Sequence, residues 1–163
     1  MEKTSFHYHI VLFAPEIPPN TGNAGRLAVA TGASLHLIEP LGFSIDDKEV
    51  RRAGLDYWKH VDLHIHKDFD AWLAWHKDNL GDAPFYFFSK KTKGSFYQTK
   101  FPRVAAFVFG RETKGLPDQI LDKYSEQTLT IPMFSDKIRS LNLSNAVSVV
   151  LYEAIRQQII NLT

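Results

Sequence analysis

Three short segments of this sequence combine glycines or prolines with hydrogen-bonding side chains, a composition suited to a small polar ligand. The first spans residues 18–26 and includes Asn20, Asn23 and Arg26 beside two prolines and two glycines. Glycines at a helix N-terminus permit close backbone approach, and the free N–H groups there attract anions. Arg26 can reach a phosphate from the predicted helix. The segment matches neither the Walker A nor the GxGxxG pattern, and a tight strand-to-helix turn is the alternative interpretation.

The second segment, residues 109–117, follows a run of apolar residues that predicts a buried strand. Gly110 and Gly115 flank Arg-Glu-Thr-Lys, whereas a structural turn needs only one glycine. This spacing favours a loop whose backbone faces a ligand at the carboxyl end of a parallel sheet. Gly110 is predicted to approach that ligand so closely that a side chain would collide with it.

The third segment joins Ile-Pro-Met at residues 131–133 to a polar stretch at 139–145. Ser144 or Asn145 is predicted to cap the final helix. Capping does not require two Asn, two Ser and one Arg within seven residues. The stretch therefore predicts a polar wall of a ligand site.

Histidines offer a rival site. His64 and His66 point to one face of a predicted strand, a spacing that can bind a metal ion. The chain has no cysteine and shows no obvious third ligand. We therefore predict no metal site and interpret both residues as surface positions. The sequence contains no GxSxG nucleophile motif, and spacing alone indicates no Ser-His-Asp arrangement.

The net charge of the chain is only +1, so overall charge does not indicate whether the protein binds a polyanion such as RNA. Four lysines fall within one short stretch beside two aromatic residues: Lys90, Lys91, Lys93 and Lys100, with Phe96 and Tyr97. One interpretation is a solvated loop; the other is a phosphate-contacting surface, since cations set among aromatic rings suit single-stranded RNA.

Strands and helices must position these three segments. Short apolar runs alternate with helix-like stretches along the chain, and this alternation predicts an α/β domain built around a largely parallel sheet. Strands are predicted over residues 9–13, 34–38, 61–65, 84–88, 104–109 and 128–131. Helices are predicted over residues 22–31, 46–53, 69–80, 120–124 and 144–160. Gly32 and Gly81 lie where the first and third of these helices should end.

Together, the three segments resemble the signature motifs of the SPOUT methyltransferases, in the family's order. The matching residues are Asn20-Thr-Gly-Asn-Ala-Gly-Arg26, Phe109-Gly-Arg-Glu-Thr-Lys-Gly-Leu-Pro117, and Ile131-Pro-Met with Arg139-Ser-Leu-Asn-Leu-Ser-Asn145. Stretches at residues 15–20, 41–43 and 52–57 look like the TrmL (YibK, CspR-type) branch. The similarity runs over nearly the whole chain.

The resemblance implies a single α/β domain over residues 1–163, with a mainly parallel sheet, flanking helices and a deep C-terminal trefoil knot, an exception to the usual absence of knots. It implies S-adenosyl-L-methionine (SAM) as cofactor and no metal. The cofactor contacts carried over by motif are Phe88, Gly110, Glu112, Ile131, Met133, Ser140 and Leu141. Catalytic or orienting roles fall to Asn23, Arg26, Ser144 and Asn145.

The same resemblance implies a homodimer joined through the first and last helices. Its implied substrate is the wobble nucleotide, cytidine or uridine 34, of leucine tRNAs, methylated at the ribose 2′-hydroxyl. Because a guanidinium keeps its proton in proteins, Arg26 is expected to anchor a phosphate and stabilise charge on the reacting oxygen rather than abstract a proton.

Three alternatives stay open. The same fold could methylate another tRNA or rRNA ribose. A non-catalytic RNA-binding module would not need Arg26 together with the SAM loops. A flavodoxin-like redox protein would share the α/β pattern. The absence of cysteine, of a signal-peptide pattern and of an apolar run long enough to span a bilayer predicts a cytoplasmic protein without a membrane partner.

Overall fold

The computed structural model describes residues 5–46, 50 and 57–159. Within that part of the chain, six strands form one sheet: β1 (His7–Phe13), β2 (Ser34–Ile38), β3 (Asp62–His66), β4 (Phe85–Phe88), β5 (Val104–Phe109) and β6 (Thr128–Leu129). The α-helices are α1 (Pro18–Thr31), α2 (Phe69–Leu80), α3 (Asp118–Lys123) and α4 (Leu143–Ile159). Short 3-10 turns lie at Trp58–His60, Phe96–Gln98 and Ser125–Gln127.

The sheet has the strand order β3-β2-β1-β5-β4-β6, and every pairing is parallel. The chain runs outward from β1 to β3 and then crosses to the other side of β1, so the strand order reverses between β1 and β5. Open α/β sheets bind ligands outside the carboxyl ends of strands at such a switch point. Phe88, Phe109 and Leu129 are aligned at this edge by the strand register. The topology therefore directs attention to the loops that follow β4, β5 and β6.

Helices cover both faces of the sheet. One face packs β-strand residues such as Ile10 and Phe107 against α1 and α4, and the other packs Val11 and Phe87 against Trp72 of α2. β5 is buried from its second residue to its last, as a central strand covered on both sides must be. The predicted α/β class and mainly parallel sheet are confirmed, whereas the trefoil knot stays a prediction.

Two helix starts differ from the predicted positions. α1 begins at Pro18 rather than residue 22, because prolines in the first turn need no N–H partner and have a helical φ. α4 begins at Leu143, and its cap is Asn142: the Oδ1 atom accepts from the backbone N–H of Ser144 at 3.0 Å and of Asn145 at 3.3 Å. The prediction that Ser144 or Asn145 caps this helix is wrong.

Other boundaries vary in accuracy. α1 ends before Gly32, whose φ of 71° is the left-handed conformation expected at a helix end. β6 is limited to Thr128–Leu129, shorter than predicted. The predicted helix at residues 46–53 and the motif at 52–57 lie largely outside the described residues. No helix in the described part is both long and apolar enough to cross a membrane.

A histidine cluster occupies the α2 face of the sheet, and we define it as His7, His9, His36, His64, His66 and His76 with Trp75 of α2. Alternate residues of β1, β2 and β3 point to this face, as the pleat requires. His9 Nδ1 lies 3.0 Å from His36 Nε2, and His36 Nδ1 lies 2.9 Å from His66 Nε2. The His36 ring stacks on that of His64, and Trp75 packs against both.

This cluster corrects the interpretation of His66 as a surface residue, since only 7% of it is exposed. Burial, followed by the neighbouring histidines, lowers the pKa of His9 to about 4 and that of His36 to about 2. Burial also lowers the pKa of His66 and His76. These imidazoles are therefore neutral at physiological pH. A neutral His36 donates through one ring nitrogen and accepts through the other, so it satisfies both neighbours.

Candidate functional site

A cavity of about 650 Å³ opens at the carboxyl ends of β4, β5 and β6. Its wall is built from the ends of β4 and β5, the loop at residues 110–116, the loop at 130–142 and the starts of α1 and α4. All seven residues predicted to contact a cofactor line it: Phe88, Gly110, Glu112, Ile131, Met133, Ser140 and Leu141. The structure thus brings the second and third sequence segments to one concave site.

A chain of side-chain hydrogen bonds joins the three segments beside this cavity. Asn142 Nδ2 donates to Asn20 Oδ1 at 3.1 Å, and Asn20 Nδ2 donates to Glu112 Oε1 at 3.2 Å. The Ser144 hydroxyl donates to Asn142 Oδ1 at 2.6 Å. We call these four residues the motif junction. Asn20 is its centre and is only 5% exposed, so each of its amide atoms needs the partner it has.

Glu112 fixes the entry to α1. Its carboxylate accepts from the backbone N–H of Glu16 at 2.8 Å and of Ile17 at 3.0 Å, in addition to Asn20. Ile17 is the N-cap residue of α1 and has no side chain that could cap, so the carboxylate supplies the negative charge that a helix N-terminus favours. Glu112 lines the cavity as predicted, and its oxygen atoms also hold the first segment in place.

Gly110 lines the cavity, and the loop's own backbone gives a further reason for a glycine at this position. A Cβ atom at this position would lie 2.3 Å from Gly115 C and 2.3 Å from Leu116 N. The loop folds back on itself here, with an antiparallel bridge between Arg111 and Gly115. The collision that a side chain would cause is therefore with the protein's own backbone.

Gly25 has a similar explanation. A Cβ atom there would lie 2.5 Å from Cζ3 of Trp58, so the glycine admits an indole ring against α1. The glycines of the first segment were interpreted as giving a ligand access to the backbone. For Gly25 the close neighbour is a side chain of the same protein.

Arg26 and Asn23 lie on the exposed side of α1 and do not line the cavity. The Arg26 guanidinium carbon lies 5.7 Å from the centre of the Tyr57 ring, within the range of a cation–π contact. Tyr57 is held in turn, because its hydroxyl donates to the Gly22 carbonyl at 3.1 Å. Burial raises the pKa of Tyr57, which keeps the phenol protonated as a donor. Arg26 is thus directed outward from α1 by a tethered ring.

Ser144 and Asn145 also lie outside the cavity wall. Ser144 reaches it through Asn142, whereas Asn145 is exposed on the first turn of α4. The structure therefore separates the predicted residues into two groups. The cofactor set lies together in the cavity wall, whereas the catalytic set, Asn23, Arg26, Ser144 and Asn145, does not line the cavity.

The cavity wall is strongly cationic, unlike the chain as a whole. Five of its residues carry positive charge and one, Glu112, carries negative charge; the cations are Lys90, Lys91, Arg111, Lys114 and Arg139. Lys91 is partly neutralised by Asp118, whose Oδ1 is 3.1 Å from its Nζ. A wall of this charge attracts anions.

Two residues of the site were missed by the sequence reasoning as individual positions, Asn20 and Asn142. Both lie within the quoted motifs, but their roles depend on long-range contacts that spacing does not reveal. The available signal was the pairing of an Asn directly after Pro-Pro with a second Asn before the final helix. Among the described residues, no group of three or more histidines, aspartates or glutamates is arranged to hold a metal ion.

Residues 7–152 match the SpoU rRNA Methylase family, which covers most of the chain and all three segments. The chain belongs to this family. Membership agrees with the SPOUT resemblance of the motifs.

Relatives and solved structures sharpen the comparison. A tRNA (cytidine(34)-2′-O)-methyltransferase of Burkholderia cenocepacia is 49% identical over 151 residues, 92% of this chain and 95% of that protein. Its counterpart in Burkholderia ambifaria is 48% identical with the same coverage. A solved structure concerning the 2-OH methylation of C/U34 on tRNA has a TM-score of 0.86 and 45% identity, covering 94% of this chain and 97% of that one. An AdoMet complex of the SpoU methyltransferase AviRb from Streptomyces viridochromogenes, at 22% identity and a TM-score of 0.82, shares the fold; the alignment covers 98% of this chain and 60% of that one.

Proposed function

We propose that this chain is a SAM-dependent enzyme that methylates the ribose 2′-hydroxyl of the wobble nucleotide, cytidine or uridine 34, in leucine tRNAs. The observation that carries the proposal is that all seven predicted cofactor residues line one cavity, which Asn20 joins to the first motif. The tRNA methyltransferases that are nearly half identical to this chain support the substrate. The cytoplasm is the compartment that such a substrate implies.

The cavity suits SAM in size and chemistry. Its volume of about 650 Å³ lies within the range of small-molecule sites. Ile131, Met133 and Leu141 offer apolar surface to an adenosine, and the cationic side chains Lys90 and Arg139 suit a carboxylate. SAM, when bound, supplies an activated methyl group, so the protein need not provide a nucleophile.

The remaining tasks are to orient the ribose and to stabilise charge on its oxygen. The motif junction fixes the start of α1 relative to the cavity, because Glu112 and Asn142 hold Asn20 from two sides. Arg26 and Asn23 project from the same helix toward solvent, where an RNA backbone can reach them. The guanidinium anchors a phosphate and stabilises developing negative charge on the 2′-oxygen. It does not act as a base, because it keeps its proton.

Ser144 and Asn145 would orient the ribose from the other side. The Ser144 hydroxyl proton is directed to Asn142, which leaves its oxygen lone pairs as acceptors toward a ribose hydroxyl. The exposed amide of Asn145 can both donate and accept.

We also propose a homodimer joined through α1 and α4. Val147, Leu151 and Ala154 of α4 are buried in the core, whereas Val149, Tyr152 and Ile159 are 38–53% exposed. Their spacing of three and seven residues places them on one side of the helix, which gives α4 a second apolar face. A dimer mass in light scattering at micromolar concentration is expected; a monomer mass there would contradict this assembly.

The test of the function is transfer of a labelled methyl group from SAM to unmodified tRNA, followed by nuclease digestion and mass spectrometry. Label is expected on the 2′-oxygen of nucleotide 34 in leucine tRNAs. Label on a different ribose would show that the proposed substrate nucleotide is wrong and that the proposed reaction, 2′-O-methylation, is right. Absence of transfer to any tRNA or rRNA would reject the enzyme.

A further inference from the structure

Phe134 is the most exposed large apolar side chain of the described structure, with 92% of its surface open to solvent. It begins a run of seven exposed residues, 134–140, in the loop between Ile131-Pro-Met and the motif at 139–145. No aromatic ring of the described residues contacts it, although aromatic contacts are numerous elsewhere in the molecule. Phe134 and the exposed Ile138 place two apolar side chains in one loop, and the free ring of Phe134 is available to pack against a partner surface.

The loop that carries Phe134 lies at the rim of the candidate cofactor cavity. Met133, which precedes Phe134, and Arg139 and Ser140, which end the exposed run, all line the cavity. The loop that carries Phe134 is therefore attached at both ends to the rim of the candidate cofactor site. Lys137 lies within the same exposed run, beside Ile138.

The adjoining rim adds further charge. Thr130, just before the loop, receives and donates backbone hydrogen bonds with the lysine-rich segment: Thr130 N–H to Gly94 O at 2.6 Å, and Phe96 N–H to Thr130 O at 3.2 Å. That segment carries Lys90 and Lys91 into the cavity wall. An exposed ring is thus held beside a wall with five cationic residues and one carboxylate.

We propose that Phe134 is an RNA-stacking residue, which packs its ring against an unpaired base next to the nucleotide being methylated. Single-stranded RNA offers splayed bases to aromatic rings and phosphates to lysine and arginine, and both features are present on this rim. A second copy of this chain is a poorer occupant, because bringing two such cationic rims together would be repulsive. The inference rests on the proposed function and names the part of the substrate that this loop reads.

The test is binding of an unmodified anticodon stem-loop RNA, measured by fluorescence anisotropy, to the full chain and to variants of the loop. Phe134→Leu keeps apolar bulk and removes the π-face, so RNA affinity is expected to fall about tenfold. Phe134→Tyr keeps the ring and is expected to stay within about twofold of the unchanged chain. Phe134→Trp should give additional fluorescence quenching on RNA addition, beyond that of the three native tryptophans.

Ile138→Ala is the matched control, since Ile138 is an exposed apolar side chain of the same loop without a ring. Its RNA affinity is expected to stay unchanged. An equal loss in Ile138→Ala and Phe134→Leu would overturn ring stacking in favour of general loop hydrophobicity. Unchanged RNA affinity in Phe134→Leu would overturn the proposal, and a loss of dimer mass instead would assign the ring to a second copy.

The binding measurement separates this proposal from the function itself. If the unchanged chain labels nucleotide 34 but Phe134→Leu binds RNA normally, only the stacking proposal fails. If the unchanged chain labels no RNA while Phe134→Leu loses affinity, the function fails and the RNA contact stands. SAM affinity, measured by calorimetry, is expected to be unchanged in every loop variant.

Discussion

The motif junction and the histidine cluster are both chains of side-chain hydrogen bonds, yet they use different chemistry. The junction joins loops and helix starts at the carboxyl end of the sheet, through amides, a hydroxyl and a carboxylate. The histidine cluster joins three adjacent strands on the α2 face, through imidazoles that depend on being neutral. Amide donors and acceptors do not change with pH, whereas imidazoles change near neutrality.

The two networks should therefore respond differently to a change of pH. The amide and hydroxyl groups of the junction keep their donors and acceptors over a wide pH range, and they hold the site in one geometry as long as its single carboxylate, Glu112, remains an acceptor. The buried imidazoles of His9 and His36, whose pKa values are lowered, stabilise the folded sheet only while they stay neutral. We therefore expect changes in the junction to alter methyl transfer, and changes in the histidine cluster to alter the pH dependence of stability.

The largest effect is expected at Arg26, which belongs to neither network. Arg26→Ala should reduce single-turnover methyl transfer by at least about 100-fold, since a lost charge-stabilising donor typically costs that much. SAM affinity and melting temperature should stay unchanged, because the side chain is exposed and lies outside the cavity wall. Arg26→Lys should retain a little activity, as a point charge partly replaces the guanidinium.

The contrary outcomes for Arg26 are distinct. Near-normal transfer by the Ala variant would remove Arg26 from the active site. A parallel fall in melting temperature and SAM affinity would instead make it a scaffold residue like those of the junction.

Asn20 tests the junction at its centre. Asn20→Ala removes the two hydrogen bonds that this buried amide makes with Glu112 and Asn142, and each such bond contributes about 1 kcal/mol. We expect the free energy of unfolding to fall by about 2 kcal/mol and SAM affinity to fall about tenfold. Chemical denaturation and calorimetry measure the two. The matched change in the other network, His36→Leu, should leave SAM affinity intact; an equal loss there would erase the distinction.

The histidine cluster is tested by pH. The pKa values of His9 and His36 lie at about 4 and about 2 in the folded protein, below the value of about 6.5 for a free histidine. Between about pH 6.5 and 4 the unfolded chain therefore binds more protons than the folded one, and stability falls with falling pH. The expected loss is about 1 kcal/mol per pH unit for each histidine.

The groups facing these two rings are His7, His64, His66 and His76, with Asp62 near His9. Denaturation at pH 7.5 and 5.0 should show a flatter pH dependence for His36→Leu than for the unchanged chain. His60→Gln is the control, because His60 is exposed and outside the histidine cluster. Equal pH dependence in all three proteins would contradict a neutral buried cluster.

The sequence was sufficient to predict features that depend on local pattern. Apolar runs located the strands, and glycine spacing located the loop at 109–117 and hence the cavity. The histidine cluster could not be predicted, because its members come from separate strands and from α2. Only the strand register brings His9, His36 and His66 into contact. Asn20 and Asn142 escaped for the same reason, as 122 positions separate them. The close contacts of Gly25 with Trp58 and of Gly110 with the backbone at residues 115–116 could not be predicted either, because only the folded chain brings these atoms together.

Tyr57 offers the smallest and most discriminating effect, because it would act only through Arg26. The ring lies under the guanidinium, and an exposed cation–π contact contributes about 0.5–1 kcal/mol, equivalent to roughly a two- to fivefold change in rate. Tyr57→Leu should lower kcat by that factor with little change in SAM affinity, whereas Tyr57→Phe keeps the ring and loses only the hydrogen bond to Gly22.

If Tyr57 has only a general structural role, Tyr57→Leu should lower kcat by the same factor in an Arg26→Lys background. A positioning role predicts instead that Tyr57→Leu has a smaller effect there, since no guanidinium remains for the ring to orient. Kinetics of the four proteins in this double-mutant cycle, with melting temperatures as the control, distinguish the two roles; full additivity would show that Tyr57 does not position Arg26.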